Sequence, residues 1–357
     1  MPSSTARRAA ARRFARRRDP RGRAAAVREE PAARRRQGDR VHARPAQRAP
    51  GRPGTHPRRG QAAGVARASA GGERDPALAR RVNLILQGPA LEQGHVDEAA
   101  RMTRASSAER IAPRAYRLTS ASREKSLAAW CEAREIDHAF MPEGRRFADL
   151  KLLAMDMDST LITVECIDEL GELAGKQREI AAITAQAMRG EIDYTESLRR
   201  RVALLQGLEE SALGRVYDER LRLTPGADRL LAACKRHLVQ LLLVSGGFSF
   251  FTELLKARLD IDYTVSNVLG IERGRLTGRV VGDIVEAEAK AAKFRAVAKE
   301  LKARKEQTVA IGDGANDLKM MAEAGVSIAF HAQPVVRAQA SCALNWSGLD
   351  GVLNLFE

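Results

Sequence analysis

Four stretches of this chain hold residues whose types and spacing could do chemistry: Asp156-Met157-Asp158-Ser159-Thr160, Ser245-Gly246-Gly247, the single Lys290, and Gly312-Asp313-Gly314-Ala315-Asn316-Asp317. The first, second and last follow apolar runs at 150–155, 239–244 and 308–311. Runs of this kind read as strands buried on both faces of a parallel sheet. The residues just past them then line the crevice where open α/β sheets bind ligands. In extended backbone, residues two apart point the same way, so Asp156 and Asp158 face that crevice together. Ser245, followed by bare glycine N–H groups and a helix, makes an anion site of phosphate size. Asp313 and Asp317 add two carboxylates to the same edge, and Lys290 adds one ammonium. Oxygen donors around a fixed cation suit magnesium, and the whole set is what magnesium-dependent phosphoryl transfer requires. Singly, each piece has a blander use: paired Asp or Asp317 as caps, Ser245 as a turn residue, Lys290 as a solvated charge. Their recurrence at successive strand ends carries the reading.

The elements that must position these residues are legible in the hydrophobic pattern. Further strand-like runs lie at 263–265 and 326–330, and helical stretches at 251–259 and 290–302. Strands alternating with helices predict an α/β fold with a doubly wound, mainly parallel sheet. Between the first two strands lie roughly 80 residues, far more than one crossover helix needs. The excess, about 167–223, is helix-forming at 179–188, 195–205 and 209–221 and reads as an inserted helical cap. The segment 268–281, turning at Glu272-Arg273-Gly274, reads as a β-hairpin. Ahead of the sheet, strands at 82–86, 113–118 and 138–141 and helices at 95–103 and 123–134 predict a small N-terminal α/β domain over 82–146.

Taken in order, the motifs Asp156 to Thr160, Glu165, Met188-Arg189-Gly190, Ser197-Leu198-Arg199-Arg200-Arg201-Val202, Ser245-Gly246-Gly247-Phe248, Lys290 and Gly312 to Asp317 resemble those of the haloacid dehalogenase superfamily. The resemblance spans 150–357 and is strongest to members that hydrolyse phosphoserine; 82–146 resembles the ACT-like domain that some members carry. It implies hydrolysis of O-phosphoserine to serine and phosphate through an aspartyl-phosphate, with Mg²⁺ as cofactor, as the last step of serine biosynthesis. Asp156 is then the nucleophile, and Asp158 protonates the leaving oxygen and later activates water. A carboxylate attacking a phosphate must have the repulsion cancelled, since one unit pair at 4 Å is worth about 4 kcal/mol at an effective dielectric of 20. Mg²⁺ and Lys290 do this. Asp156, Asp313 and the backbone carbonyl of Asp158 hold the metal with Asp317 in support, and Ser245 and Gly246 donate to the phosphoryl oxygens. The substrate is a small amino acid ester, so Glu165 suits its ammonium and Arg201 its carboxylate. Met188 is an apolar wall, Asn316 belongs to the substrate pocket, and Tyr194 stands where the family usually has Phe. Two rival readings stay open. One is a phosphatase or phosphotransferase for another small phosphomonoester, such as phosphohomoserine. The other is an RNA-binding protein with a vestigial phosphatase domain.

The formal charge of +15 over 357 residues is unevenly spread. Residues 1–81 hold 23 Arg, no Lys and 6 acidic residues, whereas the other 276 residues carry 37 basic against 39 acidic. A chain-wide basic surface for nucleic acid is thereby excluded. The first 81 residues also hold 8 of the 13 Pro and little apolar content beyond Ala, a composition that predicts disorder. They read as a disordered tract or as the product of a start codon placed too early, with Val82 as the native start. A transit peptide and a nonspecific nucleic-acid arm rank behind these readings. No apolar run of about 18 residues occurs, which argues against a membrane span. Cys131, Cys166, Cys234 and Cys342 form no CxxC pair and read as buried thiols of a reducing, cytoplasmic setting.

Overall fold

The computed structural model describes residues 82–357. The expectations for residues 1–81 lie outside the described residues. From Val82 the chain forms β1 (Val82–Gln87), α1 (Gln93–Thr103), β2 (Ser107–Ala112), β3 (Ala115–Thr119), α2 (Leu127–Glu132) and β4 (Asp137–Pro142). They make an antiparallel four-stranded sheet in the order β2-β3-β1-β4, the βαββαβ arrangement of ferredoxin-like domains. The sequence reading had one strand fewer: it missed β2 and put Pro113 in a strand, whereas Pro113 and Arg114 form the turn between β2 and β3. The reason is that Ser-Ala-Glu-Arg-Ile-Ala has no buried residue at this sheet edge, so it lacks the alternation that announces a half-buried strand.

Strand β1 is buried on both sides, and its residue types follow the two faces. Leu84 and Leu86 pack with Val96, Ala99, Leu118, Leu127 and Cys131 under the helices, while Ile85 joins Ala139 and Met141 in the core of the large domain. The polar residues of that second face meet the C-terminal segment. Gln87 donates to the Gly351 carbonyl at 3.1 Å and accepts from Asn354 at 2.6 Å, and Asn83 donates to Glu357 at 3.2 Å.

The large sheet runs β11-β10-β9-β5-β6-β7-β8 and is parallel except for β8. Its strands are β5 (Leu152–Met155), β6 (Gln240–Phe248), β7 (Tyr263–Glu272), β8 (Arg275–Val281), β9 (Thr308–Gly312), β10 (Val326–Phe330) and β11 (Cys342–Leu344). Within β5, Leu153 and Met155 face one core and Leu152 and Ala154 the other, so both faces are covered. One layer includes α7 (Ala227–Arg236) and α8 (Ser249–Leu259). The other includes α9 (Ala287–Glu300) and α10 (Leu318–Glu323), and the short α11 (Pro334–Arg337) follows β10. The register fixes the functional edge: Met155 lies opposite Leu243 on one side and Ile311 on the other, so β5 and β9 end together beside the last five residues of β6.

The insertion between β5 and α7 holds α3 (Cys166–Leu173), α4 (Gln177–Met188), α5 (Tyr194–Ala203) and α6 (Ser211–Arg215), the last running into a wider turn over Val216–Arg220. Its two stems are tied at the base. Ile162 bridges Leu223, and Thr163 N–H bonds Arg222 O at 3.0 Å. The β7–β8 hairpin supports the cap from the side, with Gly207 and Leu208 exchanging backbone bonds of 2.9 Å with Leu276.

Candidate active site

Asp156 follows β5 directly, and its amide still pairs with Ile311 O at 3.1 Å, which pins the carboxylate at the sheet edge. One carboxylate oxygen accepts the Met157 N–H at 2.7 Å, and the other takes the Lys290 ammonium at 2.8 Å. Lys290 stands in the first turn of α9, fully buried, and donates also to Asp317 at 2.8 Å. Asp317 in turn accepts the Gly314 N–H at 3.1 Å, closing the loop after β9. Asp313 accepts from the Thr160 hydroxyl at 2.9 Å. Asp156, Asp313 and Asp317 each offer a carboxylate oxygen within 4.8 Å of one another. Among the described residues this is the one such trio.

Asp158 faces the same edge but joins different partners. Its Oδ1 accepts the Cys166 N–H at 2.9 Å and its Oδ2 the Ser245 hydroxyl at 3.3 Å. The chain reverses between these two aspartates and α3 through Ser159, whose φ of 55° lies in the left-handed region that few non-glycine residues adopt. The turn brings the Ser159 hydroxyl to Glu165 at 2.7 Å. Ser245-Gly246-Gly247 lies in the extended end of β6, which runs on past the 239–244 run, and α8 begins at Ser249, two residues ahead of the stretch 251–259 expected to be helical. Gly247 N–H bonds the Ser245 hydroxyl at 2.8 Å. The Gly246 carbonyl accepts from Asn267 at 2.8 Å and from the Tyr194 hydroxyl of the cap at 3.1 Å.

Burial raises the proton affinity of the acids. Asp156 is held well above the usual carboxylate range by desolvation and then by Asp317, with Lys290 opposing. Asp313 is pushed up to about 6 by the same two causes. Asp158 is raised by burial, against the donors from Cys166 and Ser245. Glu165 has solvent access at the cap rim, yet its carboxyl rises to about 7 through desolvation and the charge of Asp158. Burial works against the charge of Lys290, but Asp156 and Asp317 outweigh it and hold the ammonium protonated. Three clustered carboxylates against one ammonium leave a negative surplus of hard oxygen donors, which fits a divalent cation.

The structure thus brings Asp156, Asp158, Ser245, Gly246, Lys290, Asp313 and Asp317 to one edge. Tyr194 reaches it from the cap, with its phenol pushed up to about 12, chiefly by burial. Arg201, in the last turn of α5, is half-buried and makes one long bond of 3.4 Å, from Nε to Ser197 O. Asn316 folds over Gly314 in the β9 loop. Met188, the last residue of α4, is 69% exposed. Three further residues escaped the sequence reading. Thr160 belongs to the first motif and could have been found there. Asn267 and the Cys166 amide had no signal, since one serves a carbonyl 21 residues away and the other is plain backbone.

A family model described as haloacid dehalogenase-like hydrolase matches residues 153–322, in keeping with this fold and site. Residues 84–126 match a domain family of unknown function. The phosphoserine phosphatase of Albidiferax ferrireducens is 52% identical over 217 residues, covering 59% of this chain and 92% of that protein. The unliganded crystal structure of a probable phosphoserine phosphatase from Vibrio cholerae aligns at 36% identity with a TM-score of 0.67, over 76% of this chain and 85% of that one. A structure described as a phospho-aspartyl intermediate analogue of phosphoserine phosphatase aligns at 36% identity and TM-score 0.55, over 58% of this chain and 99% of that one. The chain belongs to the phosphoserine phosphatase family of haloacid dehalogenase-like hydrolases. It is a phosphatase.

Proposed function

We propose that this enzyme hydrolyses O-phosphoserine to serine and phosphate, with Mg²⁺ as its cation and Asp156 as its nucleophile. The observation that carries the reading is the pairing of two unlike aspartates at one strand end. Asp156 is aimed by Met157 N–H and Lys290, while Asp158 is held aside by Cys166 N–H and Ser245. Asp156 attacks phosphorus and the P–O bond to serine breaks. Asp158, whose proton affinity is raised by burial, protonates the departing oxygen and then takes the proton of the water that cleaves the aspartyl-phosphate. Ser245 and the Gly246 amide donate to the phosphoryl oxygens, and Lys290 balances their charge. Asp156, Asp313 and the Asp158 carbonyl would hold Mg²⁺, with Thr160 bonded to Asp313 and Asp317 tied to Lys290 in support. When bound, the cation neutralises the phosphate that Asp156 approaches.

Glu165 takes the substrate ammonium, Arg201 its carboxylate, and Asn316 and Tyr194 line the pocket between cap and sheet. Met188 completes the wall if the cap turns inward over the ester. The reaction is the one that would close a route to serine. Four free, buried cysteines suit a cytoplasmic setting, and no described helix is long and apolar enough to cross a membrane. Phosphate release from phosphoserine, phosphohomoserine, phosphoethanolamine and p-nitrophenyl phosphate tests the reading. Phosphoserine is expected to be the best substrate, with activity lost in EDTA and restored by Mg²⁺. Preference for another ester, or undiminished activity after chelation, would contradict it.

A further inference from the structure

Helix α3 presents three acids, Asp168, Glu169 and Glu172, and two of them are satisfied. Glu169 and Glu172 share the Arg220 guanidinium at 2.6 and 2.9 Å. Asp168 is the exception: its Oδ1 is shut off from solvent and has no hydrogen-bond partner. A buried carboxylate oxygen without a donor is costly, so its persistence calls for a partner that arrives in another state of the site. Asp168 lies three residues past Glu165, hence on the same side of the helix as the acid that we assign to the substrate ammonium. Ile167 and Leu170 of α3 and Leu198 and Val202 of α5 are buried in the same core.

Arg201, on α5, has the complementary deficiency. It carries five N–H donors, and the structure uses one of them, weakly, on its own helix. The two groups also feel each other: burial raises the proton affinity of Asp168, and Arg201 is the charge that lowers it again. A guanidinium is a planar fork, and its grip on a carboxylate depends on the plane being held.

We propose that Asp168 is a positioning residue for Arg201: its unpartnered oxygen takes one edge of the guanidinium and turns the other edge toward the carboxylate of the substrate. The inference rests on the assignment of Arg201 to that carboxylate. Asp168 touches no reacting atom, and its effect is confined to substrates that carry a carboxylate.

Steady-state kinetics with phosphoserine and with phosphoethanolamine, which lacks the carboxylate, separate the possibilities. Asp168→Asn is expected to raise KM for phosphoserine by about tenfold or more with kcat nearly unchanged, and to leave kcat/KM for phosphoethanolamine as in the parent enzyme. In the Arg201→Ala background the same change should have no further effect, a comparison that stays readable if Asp168→Asn lowers the melting temperature. Equal losses on both substrates, no loss on either, or additive losses in the double variant would overturn the inference while leaving the reading of Arg201 intact. Failure of Arg201→Ala itself to erode the preference for phosphoserine would overturn that reading and the inference with it.

Discussion

Burying Asp156 and Asp313 beside Asp317 raises the proton affinity of both, and the effect on stability has a sign. Burial and neighbouring carboxylates push Asp313 up to about 6 and Glu165 up to about 7, against the usual range near 4 for an exposed carboxyl. Between those values the folded chain binds more protons than the unfolded chain, so these groups contribute less stability as pH rises through the interval. A divalent cation bound by the ionised, folded set would offset the loss. The upward shift in melting temperature caused by Mg²⁺ is therefore expected to be small at pH 5 and to grow through pH 7. A shift independent of pH in thermal unfolding would contradict this account of the cluster. Much of the cluster was legible in the sequence, because each of its acids follows an apolar run that could only be a buried strand. What the sequence left hidden are partners that act through backbone atoms, such as Cys166 N–H on Asp158, and through distance, such as Asn267 on Gly246.

Among the elements, the β5, β6 and β9 ends work as one unit because their register leaves no slack. Gly247 shows how little there is. A Cβ at this position would lie 2.6 Å from Asp158 Oδ2 and 3.0 Å from the Ser245 hydroxyl. Gly247→Ala must therefore push Asp158 out of place, and a displacement of this size costs on the order of 10²-fold in rate. Turnover is expected to fall by that factor with the melting temperature little changed; near-normal kcat would show that Asp158 need not stand where it does. The same reasoning explains which elements could be read in advance. The core strands and the hairpin turn are announced by burial and by Glu272-Arg273-Gly274, and the cap by its helix-forming length. Strand β2, exposed along Ser107 to Arg110, and the three-residue β11 owe their pairing to neighbours already in place, so no local pattern marks them.

For the whole molecule, the small βαββαβ domain is fastened to the large one. Asp137 at the start of β4 is buried and accepts the N–H groups of Asn345, at 2.6 Å, and Ser347, at 2.8 Å, with Trp346 at 3.3 Å between them. The C-terminal Glu357 side chain accepts from Asn83 and from Gly144 N–H, and Arg117 donates to Phe356 O at 2.6 Å. Removing the buried Asp137 leaves three part-buried N–H donors without their partner, and Asp137→Ala is expected to cost about 3 kcal/mol in a single denaturant transition shared by both domains. Two separate transitions in the parent protein would mean that the domains are held together less firmly than these bonds imply. This fixed frame exists, on our account, to deliver one carboxylate to phosphorus. Rapid acid quench of the enzyme turning over ³²P-phosphoserine with Mg²⁺, followed by peptide mapping, tests that directly: the label should sit on the peptide containing Asp156 and vanish in Asp156→Asn, whereas label on another residue, or turnover with no labelled protein, would contradict it.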